Sequence, residues 1–337
     1  FSYFYSVEHK INKVFEKKVK PLKQCNFLVA VSGGVDSMVL ANLFIQNNLN
    51  FSIAHCNFGL RAEESNADQE FILSWSRKNE IKCYSSKFST TTFCEKSKVS
   101  IQEGARNLRY NWFNDLKAIH KFDYIVTAHH LDDQLETYLI NSLRGTGLNG
   151  LLGIPEITSN LFRPLLQILK DEIIVYAEIN KIDFREDSSN SKNDYYRNMI
   201  RNSIIPEFKK FDDNVMLKFK TTVNNLISTK IFAETIIKKT KVKFFEIDND
   251  KVKVQIDDLL NLEPLEFYIH HLFIDYDFNF KEIIKIFNSD SSDVYNLGSD
   301  EQVSINQMIE IIEEICIICK SCYHRENTNY TDSNCYH

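Results

Sequence analysis

The hydrophobic positions change period repeatedly up to about residue 205, and the changes mark the elements. Asn26 to Val31 is a short apolar, β-leaning run; beyond SGGVDS, residues 32–37, Met38, Val39, Leu43 and Phe44 recur at helical spacing. FSIAHCNFGLR (51–61) predicts a second strand running into a loop, with a polar helix over about 62–79 and a short third strand over 82–88. The stretch from Ser100 to His120 has helical period, with Ser100 as N-cap and Glu103 three residues on, as in a capping box. FDYIVTAHH (122–130) predicts a fourth strand ending on two histidines, followed by a helix from near His130.

Strands alternating with helices predict an α/β fold, a Rossmann-like parallel sheet with helices on both faces. In such sheets ligands sit at the carboxyl ends of the strands. Both the glycine stretch and the histidine pair fall on that edge. From about Phe208 the alternation lapses into lysine- and asparagine-rich helical sequence, so the C-terminal region is expected to be smaller and mainly helical. The expected division is a catalytic domain over 1–208, a lysine-rich helical linker over 209–245, a small domain over 246–325 with a hairpin near Asp248 to Asp250, and a disordered tail over 326–337.

A strand, a tight turn and a helix N-terminus collect unpaired N–H groups and the positive end of a helix dipole around one point, as a phosphate requires. Gly33 and Gly34 allow close backbone approach, Ser32 and Ser37 offer hydroxyls, and Val35 opens the helix. The alternative is a turn that binds nothing, and Asp36 argues against it. A carboxylate beside a phosphate cradle is repulsive unless a divalent cation lies between them. The GxxxxGK[ST] pattern is absent and no lysine follows the glycines, which suits Mg²⁺-bound pyrophosphate better than γ-phosphate transfer.

Residues 128–154, AHHLDDQLETYLINSLRGTGLNGLLGI, form the densest polar cluster. On a helix starting near His130, Asp133 and Glu136 share a face, as do Asp132 and Glu136, with His129 at the strand end. Helix capping accounts for one such group but not four within eight residues. A carboxylate pair suits an ammonium ligand or Mg²⁺. Arg144 heads a glycine-containing loop, Arg106 and Arg109 share a helical face, and Arg197 and Arg201 form a third set. Each arginine reads either as a surface ion pair or as a phosphate contact to nucleotide or RNA.

Composition adds limits more than direction. The chain has 337 residues, 43% hydrophobic and 26% charged, enough for two domains with a sizeable core. Its net charge of −6 offers no general attraction to nucleic acid, but seven lysines between Lys218 and Lys243 face one acid, Glu234. That run is either a solvated helix face or a phosphate-backbone contact. No apolar run has the length of a membrane span and no signal-peptide order opens the chain, so a cytoplasmic location is expected. Eight cysteines in a chain of this length do not make a disulfide scaffold. Cys316, Cys319, Cys322 and His324 have metal-ligand spacing, although Cys316 and Cys319 also fall within an apolar helical run as core residues.

SGGVDS resembles the PP-loop of ATP pyrophosphatases. Together with HCNFGLRAEES, QEGARNLRY, TAHHLDDQLET, RGTGLNGLLGI, RPLL and DSSNSKNDYYRNMIR, in order over roughly 26–205, it resembles the bacterial tRNA(Ile)-lysidine synthetases. The resemblance implies that ATP adenylates the C2 carbonyl oxygen of the wobble cytidine in tRNA(Ile) with a CAU anticodon. Free L-lysine then displaces AMP to form lysidine. It further implies ATP binding by Ser32 to Ser37, Mg²⁺ on Asp36, lysine on Asp133 and Glu136, and His129 and Arg109 near the reacting centre. Arg61, Arg106, Arg144, Arg197 and Arg201 would meet tRNA or nucleotide, and the assembly would be a homodimer. Phe58 departs from the pattern where many members carry a second histidine, and the chain beyond about 245 is shorter than the usual tRNA-binding region. A tRNA thiolase of the same class is the nearest alternative, although no CxxC lies in the catalytic half. A catalytically inactive tRNA-binding protein and a GMP-synthetase-like or asparagine-synthetase-like amidation are the others.

Overall fold

The computed structural model describes residues 2–61, 63–185, 196–248, 251–254, 258–259, 261–274, 294–295 and 303–304. They belong to two compact units, residues 1–227 and 228–337.

The first unit opens with α1 (Ser2–Val19), ahead of the first strand read from the pattern. Val7, Ile11, Phe15 and Val19 recur every four residues and all are buried, the stripe expected of a helix laid on a core. Then follow β1 (Asn26–Ala30), α2 (Val35–Gln46), β2 (Asn50–Asn57), α3 (Glu63–Lys78), β3 (Cys83–Lys87), α4 (Thr90–Ser97), α5 (Ile101–His120) and β4 (Tyr124–Val126). After these come α6 (Leu131–Leu143), α7 (Leu148–Leu151), β5 (Leu161–Phe162) and α8 (Lys170–Ile179). Ser100 caps α5 as its spacing predicts, accepting a hydrogen bond from the Glu103 N–H.

The five strands are parallel in the order β3-β2-β1-β4-β5. Because side chains alternate along a strand, β1 feeds two cores. Phe27 and Val29 pack with α1, α2 and α8 on one face, and Leu28 packs with Phe113 and Leu116 of α5 on the other. Each such fully buried side chain contributes about 1.5–3 kcal/mol, which fixes the sheet between its helical layers. The chain leaves β1 toward β2 on one side, and β4 returns to pair with β1 on the other. The gap outside the carboxyl ends of β1 and β4 is therefore the topological switch point.

β4 ends at Val126, short of the two histidines expected to finish it. The Thr127 N–H still reaches Phe162 O at 3.1 Å, but β5 has only two residues and supports no further pairing. His129 and His130 therefore lie in the turn above the sheet edge. A second set of buried residues, Leu131 and Leu135 with Ile200, Ile205, Met216 and Phe219, packs α6 against a run of helix that begins at α9 (Tyr196–Met199). That run continues through a π-helical turn (Ile200–Ile204) into α10 (Ile205–Phe211), and α11 (Val215–Phe244) follows.

In the second unit β6 (Phe245–Asp248) pairs antiparallel with β7 (Lys251–Val254), the hairpin expected there. Phe245, Leu259, Ile269, Leu272 and Phe273 form a small core with the helix α12 (Leu265–Phe273). No helix among the described residues is long and apolar enough to cross a membrane.

Candidate active site at the switch point

The glycine stretch turns tightly between β1 and α2. Gly33 has φ +95°, a conformation that a side chain disfavours. Ser37 braces the turn: its hydroxyl accepts from the N–H groups of Ser32 and Gly33 (both 3.2 Å) and donates to Gly34 O at 2.9 Å. The Ser37 hydroxyl is thus engaged within the loop, whereas Ser32 is exposed. Gly34 sits at the N-cap and offers no side-chain acceptor to the first-turn amides of α2. A Cβ added there would approach Ser32 Oγ alone, at 3.6 Å, so the space before the helix is open. An uncapped helix N-terminus facing open space is fitted to an anion. Arg185 fixes the turn from outside, its N–H donating to Gly33 O at 2.9 Å.

Asp36, in the first turn of α2, faces this opening. Lys170 at the start of α8 donates to both its oxygens, at 2.6 and 2.7 Å. His130 stands on its other side, with Nε2 3.9 Å from Asp36 Oδ1 and 3.4 Å from Asp133 Oδ2. His130 and Asp133 also cap α6 reciprocally: the His130 N–H donates to Asp133 Oδ2 at 3.0 Å and the Asp133 N–H to His130 Nδ1 at 3.4 Å. Asp133 is therefore both a helix cap and a member of the acidic cluster.

The other Asp133 oxygen accepts from Arg201 at 2.9 Å. Glu136, 1% exposed at its side chain, accepts from Arg201 Nε at 2.5 Å and Arg197 Nε at 2.8 Å. The buried Ile200 anchors both arginines against α6. Burial alone would raise the Asp133 carboxyl, but His130, His129, the His130 N–H and Arg201 together hold it below the ordinary carboxylate range. Asp132 accepts from the Lys170 N–H at 3.0 Å and Lys209 Nζ at 2.9 Å, with Oδ2 3.9 Å from His130 Nδ1. His129 has Nδ1 2.8 Å from the Thr127 hydroxyl, and burial lowers its pKa to about 4, so it is neutral at physiological pH.

The remaining arginines are spread out. Arg61 donates to Asp68 at 3.0 Å, and Arg185 Nε meets the same carboxylate at 2.5 Å. Arg106 lies over Tyr110, and Arg109 lies 5.2 Å above the ring of Phe58, which stacks on Phe88. The described contact of Arg109 is thus with the residue that departs from the histidine pattern, not with the acidic cluster. Arg144 is the exposed C-cap of α6. Cys316, Cys319, Cys322 and His324 lie outside the described residues, as do 186–195 with the first part of the DSSNSKNDYYRNMIR stretch and the tail over 326–337.

Three residues of this network are absent from the site expected from the sequence. Lys170 and Lys209 stand 134 and 77 positions from the acids they bind, and nothing in the spacing marks them. His130 lies within TAHHLDDQLET, but capping and bridging are told apart only by geometry.

A family model for the PP-loop domain matches residues 5–208. The chain belongs to this PP-loop family. Curated relatives within its reach include tRNA(Ile)-lysidine synthases of Bacteroides thetaiotaomicron, 34% identical over 84% of this chain and 66% of that protein, and of Bacillus subtilis, 31% identical over 73% and 54%. Among solved structures, the U34-tRNA thiolase from Methanococcus maripaludis superposes with a TM-score of 0.54 at 16% identity, over 66% of this chain and 80% of that one, a likeness of fold alone. This PP-loop chain spans about half to two thirds of the length of the curated relatives it matches.

Proposed function

We propose that this protein ligates free L-lysine to C2 of the wobble cytidine in tRNA(Ile) with a CAU anticodon, using ATP and releasing AMP and pyrophosphate. The observation that carries this reading is the pair Asp133 and Glu136, buried beside the PP-loop and already holding cationic nitrogen. In the structure the cation is the guanidinium of Arg201, and a ligand ammonium would be recognised by charge-assisted hydrogen bonds of the same kind.

The chemistry divides along the switch point. Ser32 to Ser37 and the uncapped start of α2 would bind the ATP phosphates. Asp36 would hold Mg²⁺, and the donor set fits that ion. One carboxylate borders the cradle, and among the described residues no group of three or more His, Cys, Asp or Glu could hold a metal by itself. The nucleotide phosphates would share the ion with Asp36, the usual division of ligands for magnesium. When bound, the ion supplies charge stabilisation for the departing pyrophosphate. His129, neutral at physiological pH, would accept a proton from the amine as it bonds to C2, and Asp133 and Glu136 would orient that amine. The wobble cytidine must be splayed from its loop, which a single-stranded anticodon permits at low cost.

On this reading residues 1–208 are catalytic, 209–245 connect, and 246–325 meet tRNA, in the cytoplasm. The test is transfer of radiolabelled lysine to an unmodified tRNA(Ile) transcript with a CAU anticodon, beside one with uridine at the wobble position. Label on the cytidine transcript alone is the expected result. AMP release with that transcript but no label would replace lysine with another nucleophile, sulfur first.

A further inference from the structure

Two of the arginines carry charge that no acid offsets. Arg61, Arg197 and Arg201 donate to carboxylates, whereas Arg106 lies over Tyr110, Arg109 lies over Phe58, and neither has a hydrogen bond or ion pair among the described residues. We infer that Phe58, Phe88 and Trp112, with Arg109 laid on Phe58, form a stacking platform for an unpaired base of the tRNA, that of a nucleotide next to the wobble cytidine. The inference rests on the tRNA reading above.

Three features support it. First, the rings stand on the right edge. Phe58 directly follows β2 and Phe88 directly follows β3, at the carboxyl ends of the strands, where the PP-loop follows β1 and the two histidines lie just beyond β4. β2 lies between β3 and β1, and neighbouring strands are about 4.8 Å apart, so the two rings stand one and two strands from the PP-loop. A wobble cytidine delivered to the switch point brings its neighbours over that edge. Second, the rings are held but not buried. The Phe88 N–H donates to Asn57 O at 2.8 Å, and the Thr90 hydroxyl donates to Phe58 O at 2.8 Å. Phe58 and Phe88 stack with centroids 5.7 Å apart and 24° between their planes, and Trp112 meets Phe88 edge-on at 5.8 Å. All three are half-buried, and neither phenylalanine belongs to the two cores that β1 feeds. Aromatic rings already fixed in place stack on a base with little further loss of entropy. Third, the charge suits RNA. Arg106 and Arg109 are three apart on α5 and share a face, so two guanidiniums lie beside the rings. A guanidinium offers a flat face to a base and N–H groups to a phosphate. The ATP phosphates have the PP-loop, which leaves this second cationic pair to the RNA backbone.

A stack that only closes the sheet edge predicts something different. Its loss would lower stability and leave RNA binding alone, or would weaken every RNA alike. The test is equilibrium binding of the protein to tRNA(Ile) with a CAU anticodon, assembled by ligation either intact or with an abasic nucleotide immediately before or after the wobble cytidine. Phe58→Leu should weaken binding of the intact tRNA by about fivefold or more, the scale of one lost base–aromatic stack, and Phe58→Tyr should bind as wild type does. On one of the two abasic tRNAs the loss should vanish, because that RNA has no base to stack. Unchanged binding by Phe58→Leu, or an equal loss on all the RNAs, overturns the inference. So does weaker binding of α,β-methylene-ATP by Phe58→Leu with tRNA binding unaltered, which would give the platform to the adenine of ATP. Should Phe58→Leu not fold, Phe88→Leu carries the same comparison. If the wild type does not bind the intact tRNA, the tRNA reading falls and this inference with it; if it binds but transfers no lysine, the ligation reading falls alone.

Discussion

Arg201 grips Glu136 edge-on: Nε lies 2.5 Å from Oε1 and the neighbouring NH2 3.0 Å from Oε2, while the same NH2 reaches Asp133 Oδ1 at 2.9 Å. One guanidinium thus ties together the two acids proposed to hold an amine ligand. Glu136 is nearly sealed from water, and its partners Arg201 and Arg197 are more than a third exposed. The arginines can find water or phosphate if they leave; the carboxylate cannot.

That asymmetry governs Glu136→Gln. The amide keeps the shape but removes the charge, leaving two guanidiniums with a neutral acceptor. Their exposure limits the cost to about 1–2 kcal/mol of stability, at the low end for hydrogen bonds to charged groups. For lysine the change is more direct, since the ammonium loses half of its carboxylate pair. A rise in KM for lysine of roughly tenfold or more, with pyrophosphate release little altered, is expected. An unchanged lysine KM would remove Glu136 from the amine site.

His129 makes stability depend on pH. Its folded pKa is about 4 against an ordinary 6.5, so between those values the unfolded chain binds a proton that the folded chain does not. Stability therefore rises with pH from about 4 to 6.5 and gains nothing further from this group above that range. The full effect is up to about 3 kcal/mol. Trp75 and Trp112 both lie in the first unit, so urea unfolding followed by tryptophan fluorescence reports on it. His129→Gln should flatten the slope between pH 4.5 and 6.5, roughly the interval between the two pKa values. A slope identical to wild type would mean that folding does not lower the His129 pKa.

Gly104 tests packing without reference to catalysis. A Cβ there would fall well inside the contact radius of Cys94 Sγ, where α4 crosses α5. Gly104→Ala should destabilise by about 1–3 kcal/mol, as overpacking does. Cys94→Ala removes the obstructing sulfur, so the same substitution should cost less in that background. Equal costs in the two backgrounds would place the strain elsewhere.

The sheet was legible because its signals are local. A strand of alternating faces, a glycine turn and a helix of period 3.6 each occupy a short window, and β1, α2, β2, α3, β3 and α5 follow from them. The two-residue β5 and the four-residue α7 are too short to show a period at all. α1 is different: Val7, Ile11 and Phe15 display the helical stripe plainly, but no motif drew attention to them. In the site, the glycine turn and the acids of α6 could be named because each lies in one segment. Which cation meets which acid could not, although Arg197 and Arg201 stand among the candidates. Lys170 meets Asp36, Lys209 meets Asp132 and Arg201 meets Glu136 only after the chain has folded back on itself, and a charged residue between helices carries no mark of its partner.

Asp36→Ala separates nucleotide chemistry from RNA binding. The carboxylate borders the phosphate cradle, and its loss removes the proposed cation ligand. ATP-dependent pyrophosphate release with the cytidine transcript should fall roughly a hundredfold or more, the scale at which a missing electrostatic stabiliser of the transition state is felt. Binding of the same transcript should persist, because Asp36 lies at the start of α2, whereas the lysine run falls in α11. Filter binding beside a pyrophosphate-release assay reads both. Loss of release with RNA binding intact supports Asp36 as the cation ligand; wild-type release from the variant would reject that role, and joint loss of both would tie Asp36 to RNA binding instead.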